Sequence, residues 1–154
     1  GWTSVDASVA FSMLGVAMIF GGPVLTTLAQ RIGVRRILSV AFGLWPVFSV
    51  ILLSGIRVPV WFACVGIGFL FSSLPSLITL YVVENTTTKD YGASFAAATL
   101  VFGIAQTISP PIGGWIADTA GSFTLVFLLS AATSLVGLVA TLRLPRTGGL
   151  LKAE

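Results

Sequence analysis

Charge is what this chain of 154 residues is short of. Asp, Glu, Lys and Arg together make up 8% of it, against roughly 25% in ordinary soluble proteins. Histidine is absent and cysteine occurs once, at Cys64. Without histidine or a second thiol there is no Cys/His set for zinc, no intrachain disulfide and no imidazole base. The five acids, Asp6, Glu84, Asp90, Asp118 and Glu154, sit at the ends of apolar runs or in the tail, so no buried carboxylate pair can work as acid and base. A Gly-rich phosphate loop with its lysine is also missing, which argues against built-in ATP use. The expectation is no metal, no cofactor and no enzyme. The net charge of +3 does not point to nucleic acid as a partner, because the basic residues mark run ends and do not line one soluble face.

What remains is apolar: 56% of the chain is hydrophobic. The few charges divide it into five uncharged intervals, Ala7 to Gln30, Ile37 to Ile56, Val58 to Val83, Tyr91 to Ala117 and Thr119 to Leu142. At about 1.5 Å per residue even the shortest makes roughly 30 Å of helix, the thickness of a bilayer's hydrocarbon core. The apolar residues come in blocks such as VFSVILL, unlike the alternating segments of a membrane barrel. The sequence therefore predicts an all-α membrane protein with five transmembrane helices, at about 8–30, 37–56, 58–83, 91–117 and 122–142. No basic n-region precedes the first run and the run is too long for an h-region, so it does not read as a signal peptide; there is also no initiator Met. The chain reads as a fragment that starts in a loop, which accounts for an odd number of spans.

Alternate loops share a side. Arg31, Arg35 and Arg36, then Lys89, then Arg143, Arg146 and Lys152 fall on one side, and only Arg57 on the other. Basic residues are retained in the cytoplasm, which predicts an outside N-terminal end and a cytoplasmic tail, in a cell or inner membrane. Asn85-Thr86-Thr87 matches a glycosylation acceptor, but this topology makes it a cytoplasmic polar loop.

Two stretches carry a resemblance. TTLAQRIGVRRIL, Thr26 to Leu38, resembles the loop signature of the major facilitator superfamily: Leu28, Ala29, Arg31, Gly33, Arg35 and Arg36 match, while Thr26 replaces a glycine and Gln30 an aspartate. The matching positions also make physical sense. Gly33 can take the left-handed conformation that ends a helix, and cations suit a helix C-terminus. GIAQTISPPIGGWIAD, Gly103 to Asp118, resembles the Gly- and Pro-rich helix of the second half of these transporters. Pro110 and Pro111 remove backbone donors and Gly113 and Gly114 permit close helix approach. The chain also aligns with itself, TTLAQRIG against GWIADTAG, through Ala29/Ala117, Gly33/Gly121, Leu28/Ile116 and Gln30/Asp118. The copies end spans 1 and 4 on opposite faces, as an inverted repeat requires.

The resemblance implies two six-helix halves around a central cavity, with this chain supplying most of one half, helices eight to twelve. Gln30 in place of the acid, no arginine within span 3 and the basic tail LRLPRTGGLLKAE favour the C-terminal half. Spans 1, 3 and 4 would line the cavity and spans 2 and 5 would face lipid. On span 3, Phe69, Ser72, Ser73, Ser76 and Thr79 share a face at helical spacing. On span 4, Thr99, Phe102, Gln106 and Ser109 do. Gln106, the most polar side chain deep in any span, is the first candidate for a substrate contact. The alternative for each is local: hydroxyls bond back to their own helix and a buried Gln bridges helices. In span 1, Ser8, Ser12, Gly15, Gly22 and Thr26 read as a packing stripe with Pro23 as a kink. Trp2, Trp45, Trp61 and Trp115 read as anchors or packing residues. Span 5 looks featureless. Gln30, Arg31, Gly33, Arg35 and Arg36 form the cytoplasmic turn, with the arginines as a topological address and gate element. The implied partners are the missing N-terminal half, membrane lipid and a small-molecule substrate. A coupling proton would need an acid outside this stretch, since no ionisable residue lies mid-span. A non-transporting membrane sensor or assembly subunit built on the same bundle is the alternative.

Overall fold

The computed structural model describes residues 2–145; Arg146, Lys152 and Glu154 of the tail lie outside the described residues. Five helices follow in order: α1 (Ser4–Ile32), α2 (Val34–Leu52), α3 (Arg57–Asn85), α4 (Tyr91–Ala120) and α5 (Thr124–Arg143). Each is long and apolar enough to cross a membrane, and no strand occurs among the described residues.

Local chemistry sets the ends. Asp6 donates its backbone N–H to the Thr3 hydroxyl at 3.2 Å, while the Thr3 backbone N–H donates to Asp6 Oδ2 at 2.9 Å, a reciprocal cap that starts α1. Gly33 breaks α1 from α2 with φ 98 and ψ 130, a conformation open only to glycine. Gly121 ends α4 in the left-handed region at φ 66 and ψ 12. Both glycines of the internal repeat therefore turn with positive φ. Two of the other pairs agree, Ala29 and Ala117 being buried and Gln30 and Asp118 exposed, while Leu28 is exposed and Ile116 half-buried. α5 stops one residue before Pro145, with Leu144 extended as the residue before a proline prefers.

The helices pack in two tight pairs, α1 with α3 and α2 with α5, which meet where α2 packs on α3. α1 crosses α3 where glycines remove the side chain between the backbones. A Cβ on Gly21 would overlap the carbonyl of Phe69, and one on Gly68 would overlap that of Leu14. Gly22 faces Ser76, whose Oγ would lie 3.3 Å from an added Cβ. Pro23, one residue on, is exposed inside an unbroken α1. The buried cluster lies at the junction of α1, α2 and α3: Ala29, Val34, Ile37, Leu38, Ala41, Leu70 and Leu77.

The second pair, α2 with α5, is held by polar contacts that the apolar look of α5 conceals. Trp45 Nε1 donates to Ser130 Oγ at 2.9 Å. Ser134 Oγ donates to the carbonyl of Phe42 at 2.8 Å. That carbonyl lies four residues before Pro46, which has no N–H to offer it, so Ser134 replaces the missing intrahelical donor. Gly137 lets the Phe42 ring lie against α5. α2 therefore touches α1, α3 and α5, while its row of Val40, Leu44, Val47 and Val50 stays exposed and available to lipid. α4 touches only α3 and α5 among the described residues, and none of its most apolar 18-residue window is buried.

Candidate functional site

The position of α4 decides how its side chains are read. The helix touches α3 and α5, and Ala98, Phe102 and Ala117 are among its positions that are not exposed. Its open surface divides at helical spacing into two strips. One strip is bulky and apolar: Val101, Ile104, Ile108, Ile112 and Trp115, all exposed. The other is small and polar: Thr99, Gly103, Gln106, Thr107 and Pro110, also exposed. A shallow hollow of about 420 Å³ runs along α4, bordered by Thr99, Gly103 and Thr107 with Leu100, Ile104 and Ile108. Gln106 is thus exposed at the edge of a polar strip that no other described helix covers. Phe102 is half-buried beside it. Ser109 is exposed, but its hydroxyl donates to the Ala105 carbonyl at 2.6 Å. Gly113 has Val126 at ordinary contact distance and Gly114 has open space where a Cβ would go; the closest backbone approaches fall at Gly21 and Gly68. Pro110 and Pro111 are both exposed within an α4 that stays helical.

The serines on α3 have a different setting. Ser73 is fully buried and donates to the Phe69 carbonyl at 2.5 Å. Ser72 donates to the same carbonyl at 3.4 Å, and Ser76 to the Ser72 carbonyl at 3.3 Å. Ser72 and Ser76 also stand over Gly21 and Gly22 of α1. All three hydroxyls are engaged locally, in the α1–α3 crossing. Phe69 alone of this group reaches an open cavity.

That cavity, a groove of about 780 Å³, is the larger of the two and the residue pattern of span 1 only half signalled it. It runs along the N-terminal half of α1, where Ser4, Ser8 and Ser12 alternate with Val5, Val9, Met13, Val16 and Phe20, and is closed on one side by Val65 and Phe69 of α3. Ser8, Ser12 and Gly15 are exposed, with no atom near a Cβ built on Gly15, whereas Gly22 packs on α3. The small-residue stripe of α1 is therefore divided between groove and crossing. Two contacts tie the start of α1 to the turn between α2 and α3 and the start of α3. Trp2 Nε1 donates to the Gly55 carbonyl at 2.9 Å, and Arg57 Nη2 pairs with Asp6 Oδ2 at 3.3 Å.

At the other end, the turn Gln30 to Arg36 separates its three arginines. Arg31 and Arg36 are exposed. Arg35 reaches across to α5, where its Nε donates to the Thr141 carbonyl at 3.3 Å and its Nη2 to the Leu142 carbonyl. The Thr141 carbonyl also accepts the Leu144 backbone N–H at 3.1 Å; the guanidinium adds a second donor there and sits at the negative end of the helix dipole. Sequence reasoning missed this contact and the whole α2–α5 seam. The signal was present: Ser130, Ser134, Gly137 and Thr141 recur at helical spacing on α5.

The family profile described as the Major Facilitator Superfamily matches residues 1–153. The chain belongs to the major facilitator superfamily. As a member it is a multi-pass membrane protein of a transport family, and the five helices form part of that fold. The chain is 26% identical to monocarboxylate transporter 12 of Rattus norvegicus over 130 residues, covering 80% of this chain and 26% of that protein. It is 31% identical to monocarboxylate transporter 12 of Mus musculus over 68 residues, 44% of this chain and 14% of that protein. The chain thus spans about a quarter of the length of the rat relative it matches. No solved structure matches it.

Proposed function

We propose that this chain is the C-terminal half, helices eight to twelve, of a permease that moves a small organic solute by alternating access and carries out no catalysis. The observation that carries the reading is the uncovered polar strip around Gln106 on α4. Polar surface facing hydrocarbon is costly, so this strip suits a hydrated pathway against a second half, with the mainly apolar, serine-edged groove on α1 as a second open surface beside it. The N-terminal half is the proposed partner, with lipid on the apolar strips. By charge asymmetry the N-terminal end is outside a cell membrane and the tail is cytoplasmic. The relatives' name makes a monocarboxylate the first solute to test. The uncharged spans of this stretch supply no cation for a carboxylate, so its countercharge, like any coupling proton, falls to the other half.

Two measurements on the full-length protein test this. Gln106→Ala is expected to reduce transport at unchanged membrane abundance; equal transport removes Gln106 as a contact. In a Cys64→Ala background, a cysteine at Ile56 is expected to react with an impermeant thiol reagent on intact cells and one at Asn85 to resist it. The reverse labelling would invert the orientation.

A further inference from the structure

Two adjacent prolines in the middle of a span leave a specific debt. The amide of residue 110 would bond the Gln106 carbonyl and that of residue 111 the Thr107 carbonyl, and Pro110 and Pro111 have no amide proton. Because the prolines are adjacent, the usual local repairs also shrink. The Gln106 carbonyl loses the donor five residues on, and the Thr107 carbonyl the donor three residues on. The two nearest hydroxyls are committed elsewhere: Ser109 to Ala105 at 2.6 Å and Thr107 to Gly103 at 2.9 Å. Pro46 shows the contrasting solution, where Ser134 from a neighbouring helix bonds the freed Phe42 carbonyl. On α4 no described helix lies over the strip that carries Gln106 and Thr107. A carbonyl without a donor in hydrocarbon costs several kcal/mol, so lipid cannot cover this strip.

We propose that the Gln106 and Thr107 carbonyls form a backbone acceptor site for a hydrogen-bond donor, a hydroxyl or N–H, of the transported solute, with water as the occupant when no solute is bound. The site sits beside the hollow that Thr99, Gly103 and Thr107 border together with Leu100, Ile104 and Ile108, and Gly103 has nothing within 4 Å of where a Cβ would stand. It rests on the transport reading above and deepens it: this half recognises the solute by neutral acceptors, not by charge.

The test uses the full-length protein, with cysteines introduced in a Cys64→Ala background and uptake measured in proteoliposomes. Val101→Cys and Ile112→Cys flank Thr107→Cys in depth on the apolar strip and do not border the hollow, and Thr107→Cys is expected to react with a water-soluble thiol reagent at least about ten-fold faster than either. Lactate and propionate are the solute probes, since they share a carboxylate and differ in one hydroxyl. Pro110→Ala and Pro111→Ala return an amide to each carbonyl and are expected to raise the KM for lactate about five-fold, the value of one hydrogen bond, with that for propionate unchanged. Labelling at 107 as slow as at 101 and 112 overturns the site, because it means the strip is covered. Equal changes for both probes also overturn it, because the prolines would then act through helix shape alone. The labelling arm keeps both prolines, so it decides even where a Pro→Ala variant fails to fold. Uptake of neither probe by the wild type removes the transport reading and this site with it, whereas tight uptake of both without discrimination removes the site alone.

Discussion

Substituting Gly68 by alanine puts one methyl group into the crossing of α1 and α3. An added Cβ would stand 2.9 Å from the Leu14 carbonyl carbon and nearer still to its oxygen. These are backbone atoms of an intact helix and cannot rotate aside, so α1 must retreat by about 1 Å, which costs about 1–3 kcal/mol for overpacking. Alanine returns up to about 1 kcal/mol of helix propensity, leaving a net loss of about 0–2 kcal/mol. Gly15→Ala is the matched control on α1, since a Cβ there meets nothing within 4 Å; it keeps the propensity gain without the clash. The two variants should therefore differ by the clash alone, about 1–3 kcal/mol, when the purified full-length protein is unfolded by denaturant in detergent. Gly21→Ala should follow Gly68→Ala, because its Cβ would overlap the Phe69 carbonyl. Equal midpoints for Gly68→Ala and Gly15→Ala would refute the proposed close crossing.

Three further outcomes follow from the same geometry. Ser134→Ala should cost about 1–2 kcal/mol by stranding the Phe42 carbonyl, and much less in a Pro46→Ala background where the backbone amide returns; a double-mutant cycle of denaturant midpoints without coupling would rule out the substitution of one donor for the other. Arg35→Gln should destabilise the end of α5 by about 1–2 kcal/mol, read as faster amide hydrogen exchange in its last turn, while Arg31→Gln and Arg36→Gln leave that exchange unchanged. Gly33→Asn should lower the thermal midpoint more than Gly121→Asn, because asparagine enters the left-handed region of Gly121 but not the φ 98, ψ 130 backbone of Gly33.

The spans were legible because charge is so scarce that each charged cluster marks a helix end, and the two turn glycines were legible because a repeat with opposite exit sides singles them out. Helix partnership was not. In lipid an apolar face does not choose a partner, so the choice passes to small residues and isolated hydrogen bonds. Nothing in a single span says that Gly21 meets Phe69 and Gly68 meets Leu14, or that Ser134 answers Pro46. Arg35 shows the same limit: its cationic character suggested an address and a gate, while its bond to the end of α5 depends on an element more than a hundred residues away. At the candidate site, the chemistry of Gln106 and of the two prolines was readable from the sequence. The uncovered strip that gives them meaning required the placement of α4 beside α3 and α5.

Counterflow by the full-length protein in sealed proteoliposomes reaches furthest. Vesicles loaded with unlabelled lactate should show a transient overshoot of labelled lactate that saturates with concentration, is absent from protein-free vesicles, and is reduced by Gln106→Ala. Folded, correctly oriented protein that gives no overshoot would contradict the solute-carrier reading of these five helices.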